Sequence, residues 1–303
     1  MNIVAILNPN AGGGRTAETW AKVRAHLPGD VEAVETKAPG HGIALARDAI
    51  KAGARTIIAV GGDGTINEVV NGFFENEEPI SGGATLGIIP NGTGSDFTRI
   101  LNLPINEKLA ADLILSSERR MADLMKVRYT AADGTGRVRY AINVTSFGMG
   151  GVVAAKLNRS SKPLGGMIAF LAAMLETAAQ FPGNSVTLQL DNLKTIEAKI
   201  TNVVVGNGQY HGGGMWVCPG AIIDDGLLDV TVIRQLTLFE LVKNIPTLYT
   251  GGIYSHPKVR SYRAKHVKAD SPEPVLIEID GEALGRLPLE ISVMPQAIRV
   301  LMP

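Results

Sequence analysis

Short apolar runs alternate with amphipathic segments through the first 120 residues of this 303-residue chain. Residues 2–7, 56–60 and 85–90 are mostly apolar, which is typical of parallel strands that are buried on both faces. One more strand is predicted at 31–37, and helices are predicted at 16–26, 41–53, 66–75 and 106–117. This alternation predicts an α/β sheet with helices on both of its faces.

The pattern changes after about residue 122. Short extended runs separated by Gly, Pro and Asp fill most of the remaining chain, and helices are predicted only at 164–180 and at about 237–250. Many short strands with such punctuation favour antiparallel β-structure. We therefore place a domain boundary between residues 122 and 123.

Composition excludes several classes of protein. Lys and Arg together number 29, as do Asp and Glu, so no broad basic face for nucleic acid is expected. The single cysteine, Cys218, excludes a disulfide framework and a multi-thiolate zinc site. The first residues form a strand pattern rather than a signal peptide, and no apolar window reaches the ~18–20 residues of a membrane span. These features predict a soluble, cytoplasmic protein and leave peripheral contact with membranes open.

Three loops rich in Gly and Asn follow predicted parallel strands, at residues 8–12, 61–65 and 91–96. Ligands of open parallel sheets bind beyond the carboxyl ends of the strands, and glycines there let backbone amides approach phosphate oxygens. Neither a Walker A loop nor a complete G-x-G-x-x-G fingerprint is present. Each loop alone is equally typical of an ordinary turn, but three at one sheet edge favour a phosphate site.

Asp63 places a carboxylate among these glycines, where it would repel a phosphate unless a cation such as Mg²⁺ lies between them. The alternative is a helix cap. Asp63 or Thr65 could cap the predicted helix 66–75, with Glu68 completing a Thr-x-x-Glu capping box. The two roles are compatible.

The segment 61–68, with Gly61 to Thr65 followed by Asn67 and Glu68, resembles the GGDGT signature shared by diacylglycerol, sphingosine and NAD kinases and by phosphofructokinases. The stretch 8–13 is similar to the first nucleotide loop of the diacylglycerol kinase catalytic domain. The stretch 90–99 resembles that family's P-x-GT-x-NDFAR motif, with Ser95 in place of the usual Asn. Residues 205–230 and 278–282 are similar to the bacterial soluble lipid kinases, so the resemblance covers essentially the whole chain.

The resemblance implies a Rossmann-like, phosphofructokinase-like α/β nucleotide-binding domain at 1–122 and an antiparallel β-sandwich lipid-binding domain at 123–291. It also implies that residues of about 292–303 return to the first domain. The residues implied to line ATP are Asn8, Pro9, Asn10, Ala11, Gly12, Thr36, Gly61, Gly62, Gly64, Thr65, Ile66, Asn67, Glu68, Gly92 and Thr93.

Four further assignments follow from the same resemblance. Asp63 would sit at the phosphates and help to hold catalytic Mg²⁺. Asp225 would bind a structural Mg²⁺ together with the backbone carbonyls of Ile222 and Leu227, and Asp123 would be hydrogen-bonded to that network. Glu282 would be the general base. Without the family, Asp280-Gly281-Glu282 and residues 224–226 are simple hairpin turns.

These observations predict an ATP-dependent kinase of a lipid alcohol such as diacylglycerol. The alternatives are a kinase of a soluble substrate, such as an NAD kinase, and a non-catalytic lipid-binding protein with a vestigial ATP site. Helix 164–180 is expected either to wall an acyl-chain groove or to pack in the core, and His211 to have a surface or hydrogen-bonding role. Whether the chain forms a homodimer is left open.

Overall fold

The computed structural model describes residues 2–29, 31–80, 83–92, 96–104, 106–116, 119–159 and 166–303. Its Cα positions divide the chain into two compact units. One unit comprises Met1–Ala122 with Gln296–Pro303, and the other comprises Asp123–Pro295.

The first unit is a parallel sheet with helices packed against it. In chain order its elements are β1 (Ile3–Leu7), α1 (Thr16–Arg24), β2 (Glu32–Glu35), α2 (His41–Lys51), β3 (Thr56–Gly61), α3 (Asp63–Asn71), β4 (Phe74–Glu75), β5 (Glu78–Pro79), β6 (Thr85–Pro90), α4 (Asp96–Ile100) and α5 (Glu107–Leu115). The parallel strand order is β6-β3-β1-β2, and Arg299 and Val300 extend it by pairing in parallel with β6.

The apolar composition of the central strands explains their position. Every residue of β1 and β3 is buried, whereas β2 at the sheet edge is mostly exposed. Because side chains of a strand alternate between faces, Ile3, Ala5 and Leu7 lie in one cluster with Trp20 of α1 and Ile114 of α5. This packing fixes the carboxyl ends of β1, β3 and β6 beside one another.

The second unit is mainly antiparallel. Strand β7 begins three residues before the boundary of this unit, and strand β18 ends five residues beyond it, within the segment assigned to the first unit. The elements are β7 (Arg120–Ala131), β8 (Gly136–Ala141), β9 (Val144–Gly148), α6 (Met149–Arg159), α7 (Gly166–Ala178), β10 (Asn184–Leu190), β11 (Lys194–Gly206), β12 (Tyr210–His211), β13 (Met215–Trp216), β14 (Leu228–Arg234), α8 (Leu238–Thr250), β15 (Val259–Ala264), β16 (His266–Asp270), β17 (Leu276–Ile279) and β18 (Glu282–Val300).

Two antiparallel paths share strands β11 and β18. One runs β15-β14-β11-β10-β16-β18, and the other joins β11 to β18 through β9 and β17. Their buried side chains, including Phe147, Leu188, Val203 and Ile277, form one cluster. Helices α6, α7 and α8 pack together in a smaller apolar cluster around Met174 and Leu241.

The predicted fold class, an α/β domain followed by antiparallel β-structure, is confirmed. Two local predictions are wrong. Helix α3 begins at Asp63 rather than at residue 66, with the extended Gly62 as its N-cap residue. The predicted Thr65–Glu68 capping box is therefore absent, because Thr65 already lies inside the first turn. The chain can continue the helix back to Asp63 because Gly62 takes up the change of direction at the end of β3.

Helix α6 was not predicted, since the glycines around Met149 indicate a loop. These glycines are needed for packing instead. A Cβ on Gly151 would overlap the Leu276 carbonyl oxygen, and one on Gly150 would overlap the Ser146 hydroxyl. Among the described residues, the structure contains no helix with the length and apolarity that a membrane span requires.

Candidate functional site

Side-chain hydrogen bonds tie the loops after β1, β3 and β6 to one another. The Asn8 amide nitrogen donates to the Thr65 hydroxyl at 3.0 Å. The Asn91 amide nitrogen donates to the Thr16 hydroxyl at 2.8 Å, and that hydroxyl donates to the Asn8 carbonyl at 2.6 Å. The three predicted loops therefore form one structural group at the carboxyl ends of the strands.

Glycines allow these loops to come into contact through their backbones. A Cβ on Gly92 would lie 2.5 Å from the Cα of Gly62, and one on Gly12 would lie 2.5 Å from the Asn91 side-chain oxygen. Gly12 also has a positive φ of 57°, which L-residues with a Cβ adopt at a cost. These glycines are thus required for the close approach of the loops.

Asp63 caps a helix, but not the helix to which it belongs. Its two carboxylate oxygens accept the backbone N–H groups of Asp96 and Phe97, each at 3.1 Å, at the start of α4. An oxygen donor of this kind fits Mg²⁺ in its chemistry.

Glu68 also serves a neighbouring helix. Its carboxylate accepts the N–H groups of Gly40 at 2.7 Å and Gly42 at 2.8 Å, at the start of α2. The side chains of Ile66 and Asn67 are fully buried. Because the whole of each residue is buried, neither presents side chain or backbone at the surface, and their contact with ATP stays a prediction.

The remaining predicted ATP residues are distributed along the same sheet edge. Thr36 follows β2 and donates its backbone N–H to the Leu7 carbonyl at the end of β1, at 2.8 Å. Asn10 donates its N–H to the Asn8 side chain at 3.0 Å. Thr93 lies outside the described residues. The contact of each of these residues with ATP stays a prediction.

In the second unit, Asp123 is fastened to the loop predicted to bind a metal. Its carboxylate accepts the Gly226 N–H at 2.6 Å, and its own N–H donates to the Ile223 carbonyl at 2.7 Å. The Asn207 side chain donates to the Asp123 carbonyl at 2.9 Å. The fully buried Asp123 thus holds the chain on either side of Asp225.

Asp225 itself is paired with a cation from the protein. Its carboxylate forms an ion pair with Arg263, which also contacts Asp229 at 3.3 Å, and it accepts the Leu227 N–H at 3.0 Å. Hydrogen bonding to Asp225 raises the pKa of Arg263. Mg²⁺ at Asp225 would have to displace this guanidinium, so the arrangement does not fit the predicted ion. The described residues contain no cluster of three or more Asp, Glu, His or Cys that could hold a metal.

Glu282 follows a tight turn that two other carboxylates hold. Asp280, at a φ of 46°, accepts the N–H groups of residues 142, 143 and 144 at 2.9–3.1 Å. The Glu278 carboxylate accepts the N–H of Gly281, and also the Ser146 hydroxyl at 2.7 Å. These hydrogen bonds hold the turn to residues 142–144 and also hold the Gly281 backbone within it, which is more than a simple hairpin turn requires.

Glu278 and Glu282 differ in their burial and in the charged groups beside them. Glu278 is fully buried, and burial raises its pKa. The His211 Nε2 atom lies 3.7 Å from its carboxylate. Glu282 is 30% exposed and accepts a hydrogen bond from Arg139 at 3.1 Å. Glu282 was predicted from its motif, but Glu278, Ser146 and Arg139 were not, because the hydrogen bonds Ser146–Glu278 and Arg139–Glu282 join residues far apart in the chain.

An apolar cavity of about 80 Å³ lies within the second unit. Helices α6, α7 and α8 and the strands beneath them line it, with Met149, Phe170, Met174, Val204, Leu241 and Leu248 among the wall residues. His211 also lines it, edge-on to Phe170 with ring centres 5.5 Å apart. Helix α7 therefore both walls a cavity and contributes to the packed cluster.

Comparison with known families matches both units. Residues 2–127 match the model described as the diacylglycerol kinase catalytic domain. Residues 143–302 match the model described as the YegS C-terminal NAD kinase beta sandwich-like domain. The second description agrees with the antiparallel architecture of the second unit.

Individual proteins show the same similarity. A diacylglycerol kinase of Mycobacterium tuberculosis is 32% identical over 256 residues, which cover 84% of this chain and 79% of the relative. A probable YegS-like lipid kinase of Xanthomonas oryzae pv. oryzae is 30% identical and covers 84% and 81%. A crystal structure of a putative diacylglycerol kinase from Bacillus anthracis is 25% identical, with a TM-score of 0.78 over 100% of this chain and 97% of that one.

Proposed function

Because the chain belongs to the diacylglycerol kinase family of lipid kinases, we propose that it phosphorylates the hydroxyl of a diacylglycerol-like lipid alcohol with ATP. The observation that carries the choice of a lipid is the apolar cavity, which lies in the same unit as Glu282. Its lining is almost entirely apolar, as in small-molecule sites that take an apolar group. A kinase of a soluble, charged substrate has no need of such a cavity.

ATP would bind at the carboxyl ends of β1, β3 and β6. The glycine-rich loops there present backbone amides, which suit phosphate oxygens, and the N-terminus of α3 adds partial positive charge. Asp63 would hold Mg²⁺, which neutralises charge on the transferring phosphoryl group when it is bound. Thr65 is held by Asn8, so these two side chains keep the loops after β1 and β3 in register.

Glu282 would accept the proton of the lipid hydroxyl as that oxygen attacks the γ-phosphorus. A general base needs a fixed position, since proton transfer requires hydrogen-bond distance to the reacting oxygen. The turn held by Glu278 and Asp280 supplies that fixation, and Arg139 orients the carboxylate. The second unit would thus provide both the base and the apolar surroundings of the acyl chain.

The test is phosphoryl transfer from γ-labelled ATP to a panel of acceptors. Diacylglycerol, phosphatidylglycerol, a sphingoid base and a polyprenol would be presented in mixed micelles, and NAD in solution. We expect transfer to diacylglycerol. Transfer to NAD alone would support a soluble-substrate kinase. ATP binding without transfer, or no binding in isothermal titration, would support the non-catalytic alternative.

A variant of the cavity wall sharpens this test. Met174→Trp fills the cavity from α7, so activity on long-chain diacylglycerol should fall about tenfold while ATP binding is retained. Ala172→Trp is the control, because it introduces the same side chain on the exposed side of α7. Equal activity of Met174→Trp and wild type would show that the cavity is not part of the lipid site.

A further inference from the structure

Large apolar side chains are exposed together at the start of α8. Phe239 is 75% exposed, Val242 is 47% exposed and Leu238 is 43% exposed. Helical spacing places residues 238 and 242 on one face with residue 239 beside them. We refer to Leu238, Phe239 and Val242 as the α8 patch. Exposed apolar side chains that adjoin one another commonly mark an interaction site.

The start of α8 is firmly anchored, so the patch is held outward. Thr237 and Glu240 form a reciprocal capping box, with the Glu240 N–H donating to the Thr237 hydroxyl at 3.2 Å. Lys258 forms an ion pair with Glu240 at 2.7 Å. The hydrogen bond from Lys258 is the largest of the interactions that lower the pKa of Glu240 to about 2. The patch is therefore not a frayed helix end that could fold back onto the protein.

The two sides of α8 face different surroundings. Leu241 is buried against α6 and α7, and Asn244 and Leu248 line the apolar cavity. The patch residues do not line that cavity and are exposed to solvent. One helix thus forms the wall of the cavity and carries an exposed apolar surface.

Charge and size favour a lipid bilayer as the partner of this surface. Glu240 is the one acidic residue within Leu238–Thr250, and Lys258 neutralises it, while Lys243 is exposed beside the patch. Apolar side chains bordered by lysine are typical of helices that lie in a membrane interface. Three side chains cover much less than the ~800 Å² per partner that a stable protein interface buries.

We propose that the α8 patch inserts into the surface of a lipid bilayer and so brings the second unit to its membrane-resident substrate. The link to a substrate rests on the proposed function, because it assumes that the cavity takes a lipid chain. The binding itself does not depend on phosphoryl transfer. It can therefore be measured separately.

The first test is co-flotation with vesicles of phosphatidylcholine containing a minor fraction of phosphatidylglycerol. Phe239→Asp should weaken vesicle binding by ~10-fold or more, because it replaces an inserted apolar group with a charge. Leu193→Asp is the matched control. Leu193 is 90% exposed in the turn between β10 and β11, outside the patch, and its replacement should leave vesicle binding unchanged.

A second variant protects the test against loss of folding. Phe239→Trp should retain vesicle binding, and its added fluorescence should shift to shorter wavelength when vesicles are present. Equal flotation of Phe239→Asp and wild type would overturn the proposal, as would failure of the wild type to float. A concentration-dependent dimer that Phe239→Asp abolishes would assign the patch to a second copy of the chain instead.

Activity separates this proposal from the proposed function. On a short-chain diacylglycerol dispersed as monomers, Phe239→Asp should match the wild type, whereas on vesicle-borne diacylglycerol it should be slower. If the wild type phosphorylates no lipid, the proposed function fails, and flotation still decides whether the patch binds membranes. If Phe239→Asp loses activity equally on both substrates, a membrane-docking role is contradicted.

Discussion

Glu278 is a buried carboxylate whose contacts reach the turn before Glu282. It accepts hydrogen bonds from Ser146 and from the Gly281 backbone, and His211 lies beside it. Burial raises its pKa, and the negative charge of Asp280 adds to the rise, while His211 and both hydrogen bonds oppose it. The ionisation of Glu278 should therefore make the free energy of unfolding depend on pH.

The sign of the pH dependence follows from the raised pKa. The contribution of Glu278 to the free energy of unfolding is fully present below its unfolded pKa, near 4.5, and is lost as pH rises through its folded pKa. Glu278→Gln removes this ionisation. We expect the unfolding free energy of the variant, relative to wild type, to increase as pH rises above about 4.5, as measured by urea unfolding across the acid-to-neutral range.

Glu273 provides a control of opposite sign. It is exposed, and its hydrogen bond from the Ser185 backbone lowers its pKa, so its contribution is present at neutral pH and lost as pH falls. Glu273→Gln should therefore give a small difference that runs in the opposite direction with pH. A pH-independent difference for Glu278→Gln would show that the carboxyl does not titrate differently in the folded state.

At the same scale, sequence identified residues better than it identified their contacts. Asp63 and Glu68 stand out in the glycine-rich motif, yet both cap helices that begin 26 or more residues away. Hydrogen bonds of this kind depend on how elements pack, and no local spacing encodes them. The Arg139–Glu282 pair is hidden for the same reason.

Among the elements, the contact between the loops after β3 and β6 is the most sensitive to substitution. A Cβ on Gly92 would lie 2.5 Å from the Gly62 backbone, so Gly92→Ala should force the loops apart and cost ~1–3 kcal/mol of unfolding free energy. ATP affinity, measured by isothermal titration, should fall with it. The atom that a Cβ at position 92 would overlap belongs to the Gly62 backbone, which cannot move aside as the end of a flexible side chain could.

Gly64 is the matched control within the same motif. A Cβ at Gly64 would have no atom within 4 Å, and the residue lies in the first turn of α3. Gly64→Ala should therefore stabilise the protein by about 0.5–1 kcal/mol in thermal or urea unfolding. A loss of stability in Gly64→Ala equal to that of Gly92→Ala would contradict the assigned backbone contact.

Elements were predictable where composition and periodicity agree. The strands at 3–7, 56–61 and 85–90 are apolar and β-branched, and α8 carries the Thr237–Glu240 signature of a helix start. Helix α6 escaped prediction because its glycines are selected by contact with β17 and β9 rather than by helix propensity. Helix α3 begins at Asp63, three residues before the predicted start, because the turn from strand to helix ends at Gly62 rather than at Thr65.

At the scale of the whole molecule, the sequence pattern distinguishes an α/β region from an antiparallel one because helices and strands bury apolar side chains with different periods. Periodicity does not show that residues 296–303 group with residues 1–122, since parallel pairing of Val300 with Leu86 joins segments 214 residues apart; only the family resemblance implied a return of about 292–303 to the first domain. The cavity within the second unit is likewise a product of packing, because its walls come from three helices and several strands.

We propose that this family member transfers phosphate from ATP to a lipid hydroxyl with Glu282 as the base. The most direct measurement is the rate of label transfer from γ-labelled ATP to diacylglycerol in mixed micelles, for wild type, Glu282→Gln and Glu290→Gln. Glu290, also on β18, pairs with His266 and serves as the control. We expect wild-type and Glu290→Gln rates to agree, and Glu282→Gln to be ~10²–10⁴-fold slower with unchanged folding. A near-wild-type rate for Glu282→Gln would contradict the account.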